Sequence, residues 1–122
     1  MVPEKLVEVL GHEGVVSIVT QGVEVHIINT WNSYLHMTED DCILILAGDM
    51  SVTEANIKVN PNVMITLGSR EVMGKHSMGT GFLIKGVCEY LYSGTDFDFM
   101  KERFPWIRTV IKVSELNIKQ TL

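Results

Sequence analysis

"VHIINTWNSYLHM", residues 25–37, decides how the rest of the chain is read. Its neighbours, "VVSIVT" (15–20) and "CILILA" (42–47), are short apolar runs bounded by turn residues, the pattern of ordinary β-strands. The segment between them has the length of a long strand but no consistent apolar face. Alternation sends Asn29, Trp31 and Ser33 to one side and Thr30, Asn32 and Tyr34 to the other. Two large aromatics among small hydrogen-bonding side chains suit a flat heteroaromatic ligand. The plainer alternative is a strand at the rim of a barrel with its aromatics in an interface.

Working outward, Pro3 opens a short helix whose buried face is Leu6, Val9 and Leu10, and Gly11 or Gly14 ends it. "QGVE" and "TEDD" are turns on either side of the 25–37 strand. After "GDM", Val52, Ala55 and Val59 mark a helix from about Ser51, stopped by "NPN" (60–62). "VMITLGS" (63–69) is a strand, "REVMGKHSMGTG" (70–81) the longest irregular segment, and "FLIKGVCEYLY" (82–92) another strand. Phe97, Met100 and Phe104 mark a further helix, and "RTVIKVSEL" (108–116) closes the sheet, leaving "NIKQTL" as a tail. The expected fold is mainly β: about six antiparallel strands with two or three short helices, closed into a small barrel that removes its edges.

The totals bound the function. A chain of 122 residues, 46% hydrophobic and 20% charged, is one globular domain, 1–122. Net charge is −5 with ten Lys and Arg in no basic cluster, which argues against nucleic acid as a partner. No apolar run reaches the ~20 residues that span a bilayer, and the N-terminus lacks the pattern of a signal peptide. Cys42 and Cys88 sit in apolar runs, as buried free thiols would. A cytoplasmic protein is expected.

Several motifs come close and fail. "GTGFLIKG" (79–86) has Ile84 where a dinucleotide fingerprint needs its third glycine, and it runs into a strand instead of a helix. "GSREVMGK" (68–75) is a P-loop with one residue too many, followed by His76 where Ser or Thr must bind magnesium. The four histidines lack metal-ligand spacing, and His26 and His36 would stand about 33 Å apart on one straight strand. No nucleophile elbow is present. A phosphate-sized anion has a better candidate in "GDMSVTEAN" (48–56). Ser51-x-x-Glu54 has the form of a capping box, and a helix start just after a strand offers free N–H groups and a positive dipole end.

"EGVVSIVTQG", "NTWNSYL", "TEAN", "MITLGSR", "GTGFLI", "RFPW" and the terminal "QTL" together resemble the small FMN-binding proteins of the flavin-binding split-barrel, or pyridoxamine-phosphate-oxidase-like, superfamily. The likeness runs over nearly the whole chain with its motifs in order. It implies a six-stranded antiparallel split barrel, a homodimer, and one non-covalent FMN per subunit near the dimer interface. By matched position, Asn29, Thr30, Trp31 and Tyr34 are expected around the flavin. Gly48, Asp49, Ser51 and Thr53 would run from the ring edge to the phosphate. Trp106 would lie near the ring, Leu122 would reach the flavin of the partner subunit, and Glu13 would be an acidic residue close to the cofactor. Val52 replaces a lysine of the resembling pattern and Asp49 a glycine, so one cation is lost and one anion gained near the phosphate. Lys58, Arg70 and Lys75 are the candidates to compensate. With no side chain suggesting an acid, base or nucleophile, the implied function is an electron carrier or small flavin-dependent oxidoreductase with an unidentified redox partner. The alternatives are a pyridoxamine-phosphate-oxidase-like enzyme, or a dimer that has lost tight FMN binding.

Overall fold

The computed structural model describes residues 2–122. In chain order it has α1 (Glu4–Leu10), β1 (Val15–Gln21), β2 (Val25–Trp31), a 3-10 turn (Asn32–Tyr34), β3 (Leu35–Met37), β4 (Ile43–Ala47), α2 (Ser51–Val59), β5 (Asn62–Met73), β6 (Met78–Leu91), α3 (Thr95–Arg103) and β7 (Thr109–Gln120). Seven strands form one sheet in the order β2-β1-β5-β6-β7-β4-β3, and every pairing is antiparallel. The expected six strands are therefore seven.

The extra strand comes from the segment that seemed to be one. Residues 25–37 break at Asn32–Tyr34, and the two halves become the opposite edges of the sheet. Six steps of ~4.8 Å would hold the edges of a flat sheet roughly 29 Å apart. Trp31 and Leu35 are four residues apart and span at most about 14 Å. The sheet must therefore curl until its edges meet at this corner. Among the described residues no ladder joins β2 to β3, so the ring of hydrogen bonds stays open.

Two other expectations give way to strand pairing. The 70–81 segment is mostly strand: Met73 pairs with Met78, Val72 is fully buried, and only 74–77 are left as the loop. The supposed tail continues β7, with Gln120 paired to Phe82. Its register shifts opposite Lys85–Val87, and Glu115 sits at φ 54° in the same region. Gly86 fits there because a Cβ would come within 2.6 Å of Val113.

The core has two parts. Inside the curl, Ile18, Ile45, Ile65, Phe82 and Ile111 pack with Leu6 and Val9 of α1. On the outside of β4 and β7, Leu44, Leu46 and Val110 pack with Met100 of α3 and with Ile107. This explains the unbroken "ILILA": β4 is covered on both faces, so it needs no polar side. Tyr34 packs against both clusters from the corner.

Candidate functional site

The corner is held from within by Asn32, whose side chain is fully buried. Its Nδ2 donates to the carbonyls of Val9 (3.4 Å), His12 (3.0 Å) and Gly68 (3.2 Å), and its backbone N–H donates to Gly14 (2.9 Å). Gly14 is required here, since a Cβ would stand 2.6 Å from the Gly68 oxygen and 2.8 Å from Asn32 Nδ2. From outside, the Glu13 carboxylate accepts from Ser33 Oγ (2.7 Å), Ser33 N–H (3.2 Å) and Gly14 N–H (3.2 Å). These donors, led by the Ser33 hydroxyl, hold the Glu13 carboxyl below its ordinary range. Four backbone carbonyls from three segments thus converge on Asn32.

One side of the turn carries an aromatic wall. The Tyr34 ring lies 5.8 Å from both Phe104 and Trp106, edge-on in each case. Trp106 is 56% exposed, a large indole held by neighbours yet open to solvent. The Arg108 N–H donates to Ala47 at 3.2 Å, which brings the Trp106 loop beside the end of β4. Continuing the Leu35–Ile45 register would likewise set the turn alongside Ala47. The wall therefore lies by the end of β4, from which residues 48–50 lead to the start of α2.

That helix start is open. Met50 is the N-cap and no side chain caps the turn, so the capping box expected from Ser51 and Glu54 does not form. Glu54 instead accepts from the Tyr92 hydroxyl. The Thr53 hydroxyl is buried without a hydrogen-bond partner. A buried hydroxyl in that state costs roughly 1–3 kcal/mol unless a further group accepts from it. At Gly48 nothing lies within 4 Å of where a Cβ would point, and Asp49, Ser51 and Val52 are exposed. The arrangement has the elements of an anion seat: uncapped amides, a helix dipole, an unused hydroxyl buried beneath them, and open space at Gly48 just before the turn.

The other side of the turn is a cleft of about 1110 Å³ whose lining includes Glu13, Val15, Arg70, His76 and Leu122. Trp31 stands at its edge, opposite Val15 in the β1–β2 register. Leu122 is 64% exposed. Among the described residues, no group of three His, Cys, Asp or Glu side chains is placed to hold a metal ion.

The structure thus brings some expected residues together and separates others. Tyr34 and Trp106 touch, with Gly48, Asp49, Ser51 and Thr53 following on the adjoining segment. Thr30 is buried under the corner, whereas Asn29 and Trp31 face outward, Asn29 accepting from Ser17 Oγ at 2.9 Å. Leu122 lies in the cleft across the turn from the aromatic wall. The simple alternation that opposed Tyr34 to Trp31 ends where the strand ends. The sequence marks Phe104 as part of a helix face and Asn32 as one of the polar strand residues. Their roles depend on contacts from distant segments, which no local pattern announces. Of the three candidate cations, Lys75 Nζ is bonded to the Gln120 carbonyl at 3.1 Å. Lys58 lies in the last turn of α2, and Arg70 lines the cleft.

The sequence is 42% identical over 123 residues to the FMN-binding protein of Nitratidesulfovibrio vulgaris (strain DSM 19637 / Miyazaki F), covering the whole of both chains. No family profile matches it. Among solved structures, HupZ of Group A Streptococcus superposes with a TM-score of 0.80 at 14% identity, over 98% of this chain and 94% of that one. An FMN-binding protein from Syntrophomonas wolfei superposes with a TM-score of 0.69 at 20% identity, over 98% and 86%. At these identities the two likenesses establish a shared fold.

Proposed function

The chain belongs to the FMN-binding protein family of the flavin-binding split barrels, and from that premise we propose that it holds one FMN per subunit of a homodimer and serves as an electron carrier or small flavin reductase. FMN, when bound, supplies one- or two-electron redox chemistry at its ring. The chain's own residues bind, orient and shield it. Tyr34 and Trp106 offer edge and face to a flat ring, and the uncapped start of α2 offers N–H groups to its phosphate. The observation that carries this reading is the buried, unpartnered Thr53 hydroxyl on the same open turn, since a phosphate oxygen would accept from it. The dimer is supported by the outer face of β2, β1 and β5, where Val25, Ile27, Trp31, Val15 and Met64 are all between 42% and 62% exposed, Ile27 and Met64 flanking Val19 and Trp31 pairing with Val15.

Titration of the purified protein with FMN, following the emission of its two tryptophans, tests the reading. Quenching with a saturating curve, and a visible flavin spectrum altered from that of free FMN, are expected. Trp106→Ala should weaken binding by roughly twofold to tenfold, the range for one aromatic contact. A protein that leaves the flavin spectrum and its own emission unchanged would remove the proposal. Exposed Val52 and Asp49 at the phosphate end favour the alternative of a dimer with weak FMN affinity, and the same titration distinguishes it.

A further inference from the structure

The aromatic wall does not end at Phe104. Arg103, the last residue of α3, sets its guanidinium 5.5 Å from the centre of the Phe104 ring and 5.7 Å from that of Phe99. The His36 ring lies 4.5 Å from the Phe99 ring, tilted by 40°. Arg103 Nη1 stands 3.4 Å from His36 Nδ1. Arginine has no lone pair to offer, so in this contact Nη1 donates and Nδ1 accepts. The imidazole must therefore be neutral, with its proton on Nε2. A second proton would fall on Nδ1, removing the only acceptor and setting two cations against each other.

A contact from His36 through Arg103 to Phe104 thus runs into Tyr34 and Trp106. Resting on the flavin-site reading above, we propose that Arg103 is a positioning residue for the aromatic wall, and that protonation of His36 releases its hold. The charged groups around the imidazole are few. On α3 they are Arg103 and, acting in the opposite sense, Asp96; beyond β4, Lys112 of β7 is paired with Asp96 at 2.8 Å. Burial first, then Arg103, moves the His36 titration below its ordinary value, with Asp96 opposing. The sign follows from linkage. The unfolded chain binds this proton more readily, so the contact's stabilisation is complete above about pH 6.5 and is lost as pH falls through the lower folded value. β3 is a three-residue edge strand, so little else fixes His36 against α3.

The test compares FMN titrations of wild type and of His36→Gln between pH 7.5 and 5. Wild type is expected to lose roughly threefold to tenfold in affinity through the His36 contact, the range for one hydrogen bond. Titration of the FMN phosphate and of other groups is common to both proteins, so only the difference is read. Gln cannot take a proton and is expected to lack that part of the slope; equal slopes would overturn the proposal. A second measurement needs no flavin. The imidazole signals of His36 in the intact apoprotein, followed by NMR, should titrate at lower pH in wild type than in Arg103→Met, and tryptophan emission should change over the same interval. If FMN fails to bind while these changes persist, the flavin reading falls and the latch stands. If the His36 titration is the same in both proteins, the latch falls whatever FMN does.

Discussion

Asn32 shows how much one amide can hold. It donates toward three carbonyls, from the end of α1, the loop after it, and β5, none of them near it in sequence. At roughly 0.5–1.5 kcal/mol for each hydrogen bond, Asn32→Ala should lower unfolding free energy by about 2–4 kcal/mol in a urea titration. Asn32→Asp keeps the shape but faces the three carbonyls with an anion, so it should be the worse substitution. The thiols lie at the other extreme of chemical involvement. Burial pushes the Cys88 thiol up to about 12 and moves Cys42 upward as well. Neither should be a thiolate near pH 8, so an aromatic disulfide reagent should label both only on unfolding. Rapid labelling of the native protein would contradict the burial of Cys42, just before β4, and of Cys88 in β6.

At the scale of elements, the start of α2 is the informative one. Its amides are uncapped, Glu54 is turned toward Tyr92, and exposed Val52 occupies the first turn. A lysine there would add one charge-assisted contact to a phosphate seated on the turn, worth about 1.5–3 kcal/mol. Val52→Lys is thus expected to raise FMN affinity by roughly one to two decades, with a steeper loss in high salt. An unchanged dissociation constant would mean that the phosphate lies elsewhere. The short 3-10 turn matters for another reason. Breaking one polar strand into β2 and β3 makes both edges of the sheet and forces them to meet. Leu35 then faces the core, whereas uninterrupted alternation would have put it on the same outward side as Trp31.

For the whole molecule, the outer face of β2, β1 and β5 is the feature most at odds with a solitary chain. Ile27 is 62% exposed and forms an apolar row with Val19 and Met64, while Trp31 pairs with Val15 beyond a polar row of Asn29, Ser17 and Thr66. If a second copy covers this face, Ile27→Glu should shift sedimentation from dimer to monomer and make thermal stability independent of concentration. It should also weaken FMN binding if the partner's chain end helps to cover the ring. A monomeric wild type with the same melting temperature at every concentration would rule out the covered face.

The sequence by itself determined what local chemistry controls. Apolar alternation marked most strands, Pro3 and "NPN" bounded helices, and the order of motifs from Glu13 to Leu122 was enough to place the chain in its family. Tertiary structure alone decided where residues 25–37 divide, because the break depends on Asn32 reaching Val9, His12 and Gly68. It also decided that 70–81 extends a hairpin and that the capping box stays unmade. Which aromatics touch was settled in the same way. The physical reason is common to all four: each outcome is set by partners far along the chain. A period or a cap signal read over a few residues cannot carry that information.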